Sequence, residues 1–313
     1  MANKMSHEPD EILTLLTDRG VISVQGEDAT EFLQKIVSQN LKPSENKTHL
    51  LYSLLLTPQG KVLYDFLLHK WENSWFIECN INFIGEILSS LQRYKLRTKV
   101  SIEPEDKLVV GTKMMRGDGA QMQRIQGRIE NDVWGVDGEL YPDPRSSSLP
   151  YRSIVRIDSD HYLGERNSSY VEHLMDLHYQ LKLPILGHDF LPGEYFPFDL
   201  GLHYFNAISM DKGCYIGQEV ITRTLTRGAV RKAVYRLKLV EGSFAADSIP
   251  PHIPKESHIT HNENVFLFGN GAERAVGKIL GIYSATTCLA VLREIGEKKR
   301  FRLADGMELV IDE

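Results

Sequence analysis

Asp211-Lys212-Gly213-Cys214-Tyr215-Ile216-Gly217-Gln218-Glu219-Val220, running on through Arg223 to Gly228, is where chemically capable side chains crowd together. A lysine, a cysteine, a glutamine and a glutamate fall within eight positions, and Gly213 and Gly217 flank the thiol. Glycine lets a backbone take positive φ or approach a neighbour closely. A thiol between two such points, two residues after a lysine, has a setting in which a nearby cation favours thiolate. The competing reading is a tight turn into a helix, with Cys214 buried as a small hydrophobe. Residue types alone leave both readings open.

On the C-terminal side of this stretch the texture changes near Val230. Val234–Val240, Asn264–Phe268, Ala275–Ile282, Thr287–Leu292 and Met307–Ile311 are strand-like runs, which predicts a small all-β barrel or sandwich with its boundary near 228 to 232. A Pro-, His- and Ser-rich loop is expected between Ser243 and Asn264. On the N-terminal side, Val21–Gln25 reads as a strand. Asp28 and Glu31 have capping-box spacing before a helical face of Ala29, Phe32, Leu33, Ile36 and Val37, with Asn40 as its stop. Leu50–Leu56 and Lys61–Lys70 read as a hairpin closed by Thr57-Pro58-Gln59-Gly60. Trp75–Cys79 is a further strand, and Ile81, Ile84, Leu88 and Leu91 recur at helical spacing. Pro142-Asp143-Pro144-Arg145 is expected as an exposed loop, and a helix is expected from about Ser169 to a stop before Pro184. Strand, helix, hairpin, strand, helix is an α+β order and not a regular βαβ alternation.

The 313 residues suggest two domains, and 42% hydrophobic with 25% charged residues is ordinary for a globular chain with a sizeable core. A net charge of −6 gives no whole-protein attraction to nucleic acid or anionic membrane. Three cysteines, Cys79, Cys214 and Cys288, with no CxxC, make neither a disulfide framework nor a zinc ribbon. Met1–Asp10 lacks the apolar core of a signal peptide, and no apolar run is long enough to cross a bilayer. The cytoplasm is the default expectation.

The unbroken octapeptide Lys212–Glu219, K-G-C-Y-I-G-Q-E, resembles the signature of the YgfZ family, folate-binding relatives of the glycine-cleavage T-protein that act in iron–sulfur cluster assembly or repair. Arg19–Ala29 with Phe32-Leu33-Gln34, Leu56–Asp65 and Tyr94–Val100 resemble further family blocks in the same order. The resemblance implies a ring-like, antiparallel-rich GcvT-like folate-binding region over residues 1–228 and a C-terminal β-barrel over 229–313. It implies tetrahydrofolate as a weakly bound ligand, no stable metal, and iron–sulfur assembly proteins or client enzymes as partners. Neither a membrane nor a nucleic acid is expected. Relatives also occur in mitochondria, so a eukaryotic source would place the chain in the matrix.

Residue by residue, the resemblance makes Cys214 the functional thiol, with Lys212 and Glu219 beside it. Asp65 and Tyr64 stand where the T-protein has two adjacent aspartates, so one carboxylate is missing. His178, Gln180 and Lys182 stand where it has R-x-E-x-G for the pterin edge, and a neutral Gln offers one acceptor oxygen where a carboxylate offers two. Arg19 stands where some relatives carry an aromatic. These departures point away from turnover and towards an auxiliary factor. A tetrahydrofolate-dependent aminomethyltransferase or demethylase is the alternative. Arg223, Arg227, Arg231, Lys232, Arg236 and Lys238 form a basic stretch without an acidic residue. It is either a solvated face or a site for an anionic folate tail, led by Arg223.

Overall fold

Strand β1 (Thr14–Leu16) and strand β2 (Arg19–Gln25) open the described chain, followed by helix α1 (Ala29–Gln34), strands β3 (Leu50–Leu56), β4 (Val62–Trp71) and β5 (Ser74–Asn80), and helix α2 (Ile84–Lys95). Strands β6 (Ser101–Pro104), β7 (Leu108–Lys113), β8 (Gln123–Arg124), β9 (Val133–Gly135), β10 (Glu139–Leu140) and β11 (Tyr151–Ile157) come next, then helices α3 (Ser168–Leu181) and α4 (Gln218–Arg227). The chain closes with β12 (Lys232–Leu239), β13 (Asn264–Leu267), β14 (Ala275–Ile282), β15 (Thr287–Arg293), β16 (Arg300–Arg302) and β17 (Glu308–Ile311). The structure, a computed structural model, describes residues 14–42, 49–113, 123–124, 133–135, 139–157, 168–240, 261–267, 275–293, 296, 300–304 and 306–312. The loop expected after Ser243 lies largely outside them, and so does much of 113–150.

Two compact units are woven from interleaved segments. One takes Met1–Leu55, Tyr64–Glu172 and Phe205–Ile216, and the other takes Leu56–Leu63, His173–Tyr204 and Gly217–Glu313. The octapeptide is cut between Ile216 and Gly217.

In the first unit a five-stranded sheet has the order β3-β4-β5-β2-β6, and a four-stranded sheet has the order β1-β7-β11-β9. Neighbouring residues of a strand point to opposite faces. Phe66, Leu67 and Leu68 of β4 and Phe76, Ile77 and Glu78 of β5 are all buried, so both faces of these central strands are covered. On one face lies α2: a Cβ on Gly20 of β2 would meet Ile84 Cδ1 at 2.2 Å. On the other face β11 approaches, because Arg152 reaches Glu78.

In the second unit β12-β15-β14-β13-β16-β17 closes into a barrel, all of whose ladders are antiparallel. Leu237, Val265, Ile279, Cys288, Leu292, Phe301 and Leu309 fill its interior. The α+β architecture with a closing barrel is the one expected from the strand runs.

Local expectations fail where a distant partner intervenes. Asp28 stands at the N-cap of α1 but its side chain caps nothing there. Its Oδ2 accepts from Lys99 N–H at 2.8 Å, and Glu31 pairs with Lys42, so the capping box does not form. The helix ends at Gln34, yet Ile36 and Val37 are buried as the periodicity predicts. Asp143 and Arg145, expected on an exposed loop, are 4% and 9% exposed because they join a buried ionic chain.

Candidate functional site

The octapeptide enters the first unit as an alternation of inward and outward side chains. Lys212 and Tyr215 are buried, while Gly213 and Cys214 are exposed. The Lys212 ammonium donates to Val37 O and to Gln39 O, the latter at 2.9 Å, and lies 4.8 Å from the centre of the Tyr215 ring. Burial pushes its pKa down, to about 7. The two carbonyls and the ring face oppose that by favouring the charged form. Lys212 was expected to sit beside the thiol as an activating cation. The contacts its amine makes tie the chain after α1 to the signature loop.

Cys214 is the exposed member of the three free cysteines. Burial pushes Cys79 up to about 12 and raises Cys288 further, so both stay protonated at neutral pH. The buried-hydrophobe reading of Cys214 is thereby removed. The two glycines differ. A Cβ on Gly213 would meet nothing within 4 Å. Gly217, in the second unit, has φ +79°, and a Cβ there would lie 2.6 Å from Thr57 O and 3.2 Å from Gly60 Cα. The turn 57–60 and the signature are therefore in backbone contact, which only a glycine permits. Glu219 begins the exposed face of α4 and pairs with Arg223 at 2.6 Å.

Asp65 belongs to a chain of buried charges on the β11-facing side of the central sheet. The register builds it. Val21 lies opposite Glu78, so Arg19 is its diagonal neighbour on β2; Leu67 lies opposite Glu78 from the other side, so His69 is its diagonal neighbour on β4. Arg19 Nε donates to Glu78 Oε1 at 3.1 Å, and His69 Nε2 lies 3.1 Å from Oε2. Arg152 joins Glu78 at 3.2 Å to Asp143 at 3.3 Å, and Arg145 forks onto Asp143 at 2.9 and 2.6 Å. The Arg145 guanidinium stands 5.5 Å from the Tyr52 ring centre, and Tyr52 O–H donates to Asp65 Oδ2 at 3.2 Å. Burial alone would raise the Glu78 carboxyl, but Arg152, His69 and Arg19 hold it well below the usual range. Burial and the Asp65 carboxylate push the Tyr52 phenol well above its ordinary value.

Asp65 is 6% exposed, and its Oδ1 is buried without a hydrogen-bond partner among the described residues. A buried carboxylate oxygen left without a donor is costly, and it is the kind of atom an N–H of a bound ligand satisfies. Tyr64, one residue earlier, points to the opposite face and donates to Glu86 Oε2 on α2 at 2.8 Å. In the second unit, His178 donates from Nδ1 to Leu183 O at 3.3 Å, and Gln180 Oε1 accepts from Arg236. Lys232 pairs with Asp199 at 2.9 Å, and Arg236 also donates to Asp312 O at 3.2 Å. Much of the basic stretch is thus engaged within its own unit.

Glu78, His69, Arg152 and Tyr52 were not singled out from the sequence. Glu78 in Trp75-Phe76-Ile77-Glu78-Cys79 carried the available signal: a charge inside an otherwise apolar strand demands a partner.

The fold is that of the glycine-cleavage aminomethyltransferases. The T-protein aminomethyltransferase of Bartonella henselae superposes with a TM-score of 0.67 over 96% of this chain and 84% of its own, at 14% identity. The sequence relatives are more specific. The mitochondrial iron–sulfur cluster assembly factor IBA57 of Mus musculus is 28% identical over 250 residues, which is 75% of this chain and 68% of that protein. The human factor is 28% identical over 243 residues and the Neurospora crassa homologue 28% over 259; the matches span 66% and 56% of those proteins. The chain is thus similar in sequence to these assembly factors and in fold to the T-protein, in line with the resemblance carried by the octapeptide. No protein-family model matches the chain. Among the described residues, no helix is long and apolar enough to cross a membrane.

Proposed function

We propose that this chain is a folate-binding auxiliary factor for the assembly or repair of iron–sulfur clusters in client enzymes. The observation that carries the reading is its homology to the IBA57 assembly factors over three quarters of its length. The exposed Cys214 at the head of α4 supports it, as the thiol through which the chain meets a client or an assembly protein. The proposal places the folate-binding region in residues 1–228 and the barrel domain in 229–313.

Tetrahydrofolate fits the Asp65 end of the ionic chain, where the free Oδ1 would accept from a ring N–H. Arg19 supplies positive potential to that carboxylate through the same network. Tyr64 faces away from Asp65 across β4 and stands apart from that environment; His178, Gln180 and Arg223 are assigned to folate by the resemblance alone. The transferase alternative is supported by the shared fold alone, at 14% identity.

The test is rescue of a deletion strain. Wild-type chain should restore iron–sulfur enzyme activities, and Cys214→Ala should lose that rescue at an unchanged thermal midpoint. Full rescue by Cys214→Ala would remove the thiol from the proposal. Calorimetry with tetrahydrofolate should give weak heat that Asp65→Asn abolishes. Formation of a one-carbon adduct of tetrahydrofolate at steady turnover would favour the transferase.

A further inference from the structure

Helix α2 ends in a turn that holds an apolar side chain out into water. Thr98 N–H donates to Lys95 O at 2.9 Å, and the Leu96 backbone between them has φ 44° and ψ −113°. That is the first central position of a type II′ turn, where a Cβ crowds the backbone and glycine is favoured. The residue there is a leucine that is 86% exposed, more than any other large hydrophobic among the described residues. A strained backbone that presents an exposed apolar group is costly twice over, and neither cost serves the interior.

The surroundings are cationic. Arg93 and Lys95 lie in the last turn of α2, and Arg97 and Lys99 follow Leu96. Lys99 pairs with Glu27. Among the described residues, Arg93, Lys95 and Arg97 have no carboxylate partner. Three cations without a carboxylate partner among the described residues thus flank one apolar point in the sequence, on a chain of net charge −6, while Asp28 and Glu27 are engaged by Lys99.

We propose that this tip docks a protein partner that presents an apolar socket rimmed by carboxylates. Leu96 is the anchor, and Arg93, Lys95 and Arg97 steer and orient the encounter. One buried anchor with a charged rim is how protein interfaces concentrate affinity. A membrane surface calls for a broad apolar face, which a single leucine does not supply. The inference goes beyond the iron–sulfur reading and does not depend on it, since it uses neither Cys214 nor Asp65.

The experiment places a photo-crosslinking amino acid at Tyr94 of the full chain in cells, with Glu103 as the control position. The captured protein is purified, and its affinity is measured for wild type, Leu96→Asp, Arg93→Glu with Arg97→Glu, and Leu96→Gly. The first two variants should each weaken binding about tenfold or more, and added salt should weaken the wild-type complex. Leu96→Gly separates docking from folding. It should raise the thermal midpoint by roughly 2 °C, because the turn is relieved, and still weaken binding about tenfold. No crosslink above the Glu103 control overturns the proposal, as does affinity unchanged by Leu96→Asp. Leu96-dependent binding to phosphatidylserine vesicles, with no protein captured, overturns it in favour of a membrane.

Discussion

The central sheet of the first unit and the barrel of the second are both antiparallel and both closed to water, yet they exclude it by opposite means. The barrel is filled by aliphatic and aromatic side chains, with Cys288 behaving as one more of them. Its stabilisation is non-directional and scales with buried area. The central sheet carries Arg19, Glu78, Asp143, Arg145 and Arg152 through its interior, each in contact with an opposite charge, and the His69 imidazole lies against Glu78. Buried ion pairs are weak sources of net stability because desolvation offsets their attraction, but they fix geometry. What they fix here is Tyr52 and, through it, Asp65. The barrel can tolerate any filling of the right volume. The sheet cannot, because one missing charge strands two others.

The largest expected effect tests that asymmetry. Glu78→Gln keeps the volume but leaves the Arg19 and Arg152 guanidiniums facing a neutral amide in a dry interior. Denaturant unfolding should register a loss of about 3–5 kcal/mol. A loss under about 1 kcal/mol, within the range of surface ion pairs, would mean that water reaches the network and the contrast is false.

Leu292→Ala in the barrel should follow closely, at about 2–5 kcal/mol set by the cavity it leaves. Leu292→Met, which conserves volume, should cost less than about 1.5 kcal/mol. No comparable replacement exists for Glu78, so a well-tolerated Glu78→Met would erase the distinction between the two interiors.

The gentlest probe is pH. The folded-state pKa values of Glu78 and Asp143 lie below their unfolded values. Their stabilisation is present above the ordinary carboxylate range and declines as pH falls below about 4.5, by about 1.4 kcal/mol per pH unit for each proton. Glu78→Gln should have a shallower acid limb and converge on wild type there. Cys288 has the opposite sign: its folded pKa is raised, so its contribution is complete below the unfolded value and declines as pH rises past about 8.5. Melting curves across pH should therefore be steepened at the acid end by the carboxylates of the sheet, and at the alkaline end by two buried thiols, Cys288 of the barrel and Cys79 of the sheet. Cys288→Ala should flatten the alkaline limb alone.

The same contrast explains what was legible in the sequence. The barrel strands and the buried face of Ala29, Phe32, Leu33, Ile36 and Val37 follow from local periodicity, since hydrophobic burial needs no particular partner. The ionic chain was not legible, because Glu78 and Arg152 meet across 74 positions and nothing in either neighbourhood names the other. Asp143 and Arg145 sit in a Pro- and Ser-rich segment whose composition says loop, and their burial is decided by Arg152 and Tyr52. At the candidate site the octapeptide marked Cys214 correctly as exposed. The direction of the Lys212 side chain depended on two carbonyls near α1 that no spacing within the motif reveals.

That lysine has a consequence for how the protein is made. Its amine meets the Val37 carbonyl across 175 positions, and a ribosome adds residues in order. At about 5–20 residues per second, the two carbonyls beyond α1 emerge on the order of ten seconds or more before their partner exists, and until then they are served by water. The loop that carries Cys214 is tied to the segment after α1 only when Lys212 arrives. The thiol therefore reaches its native setting only after Lys212 has emerged, late in synthesis.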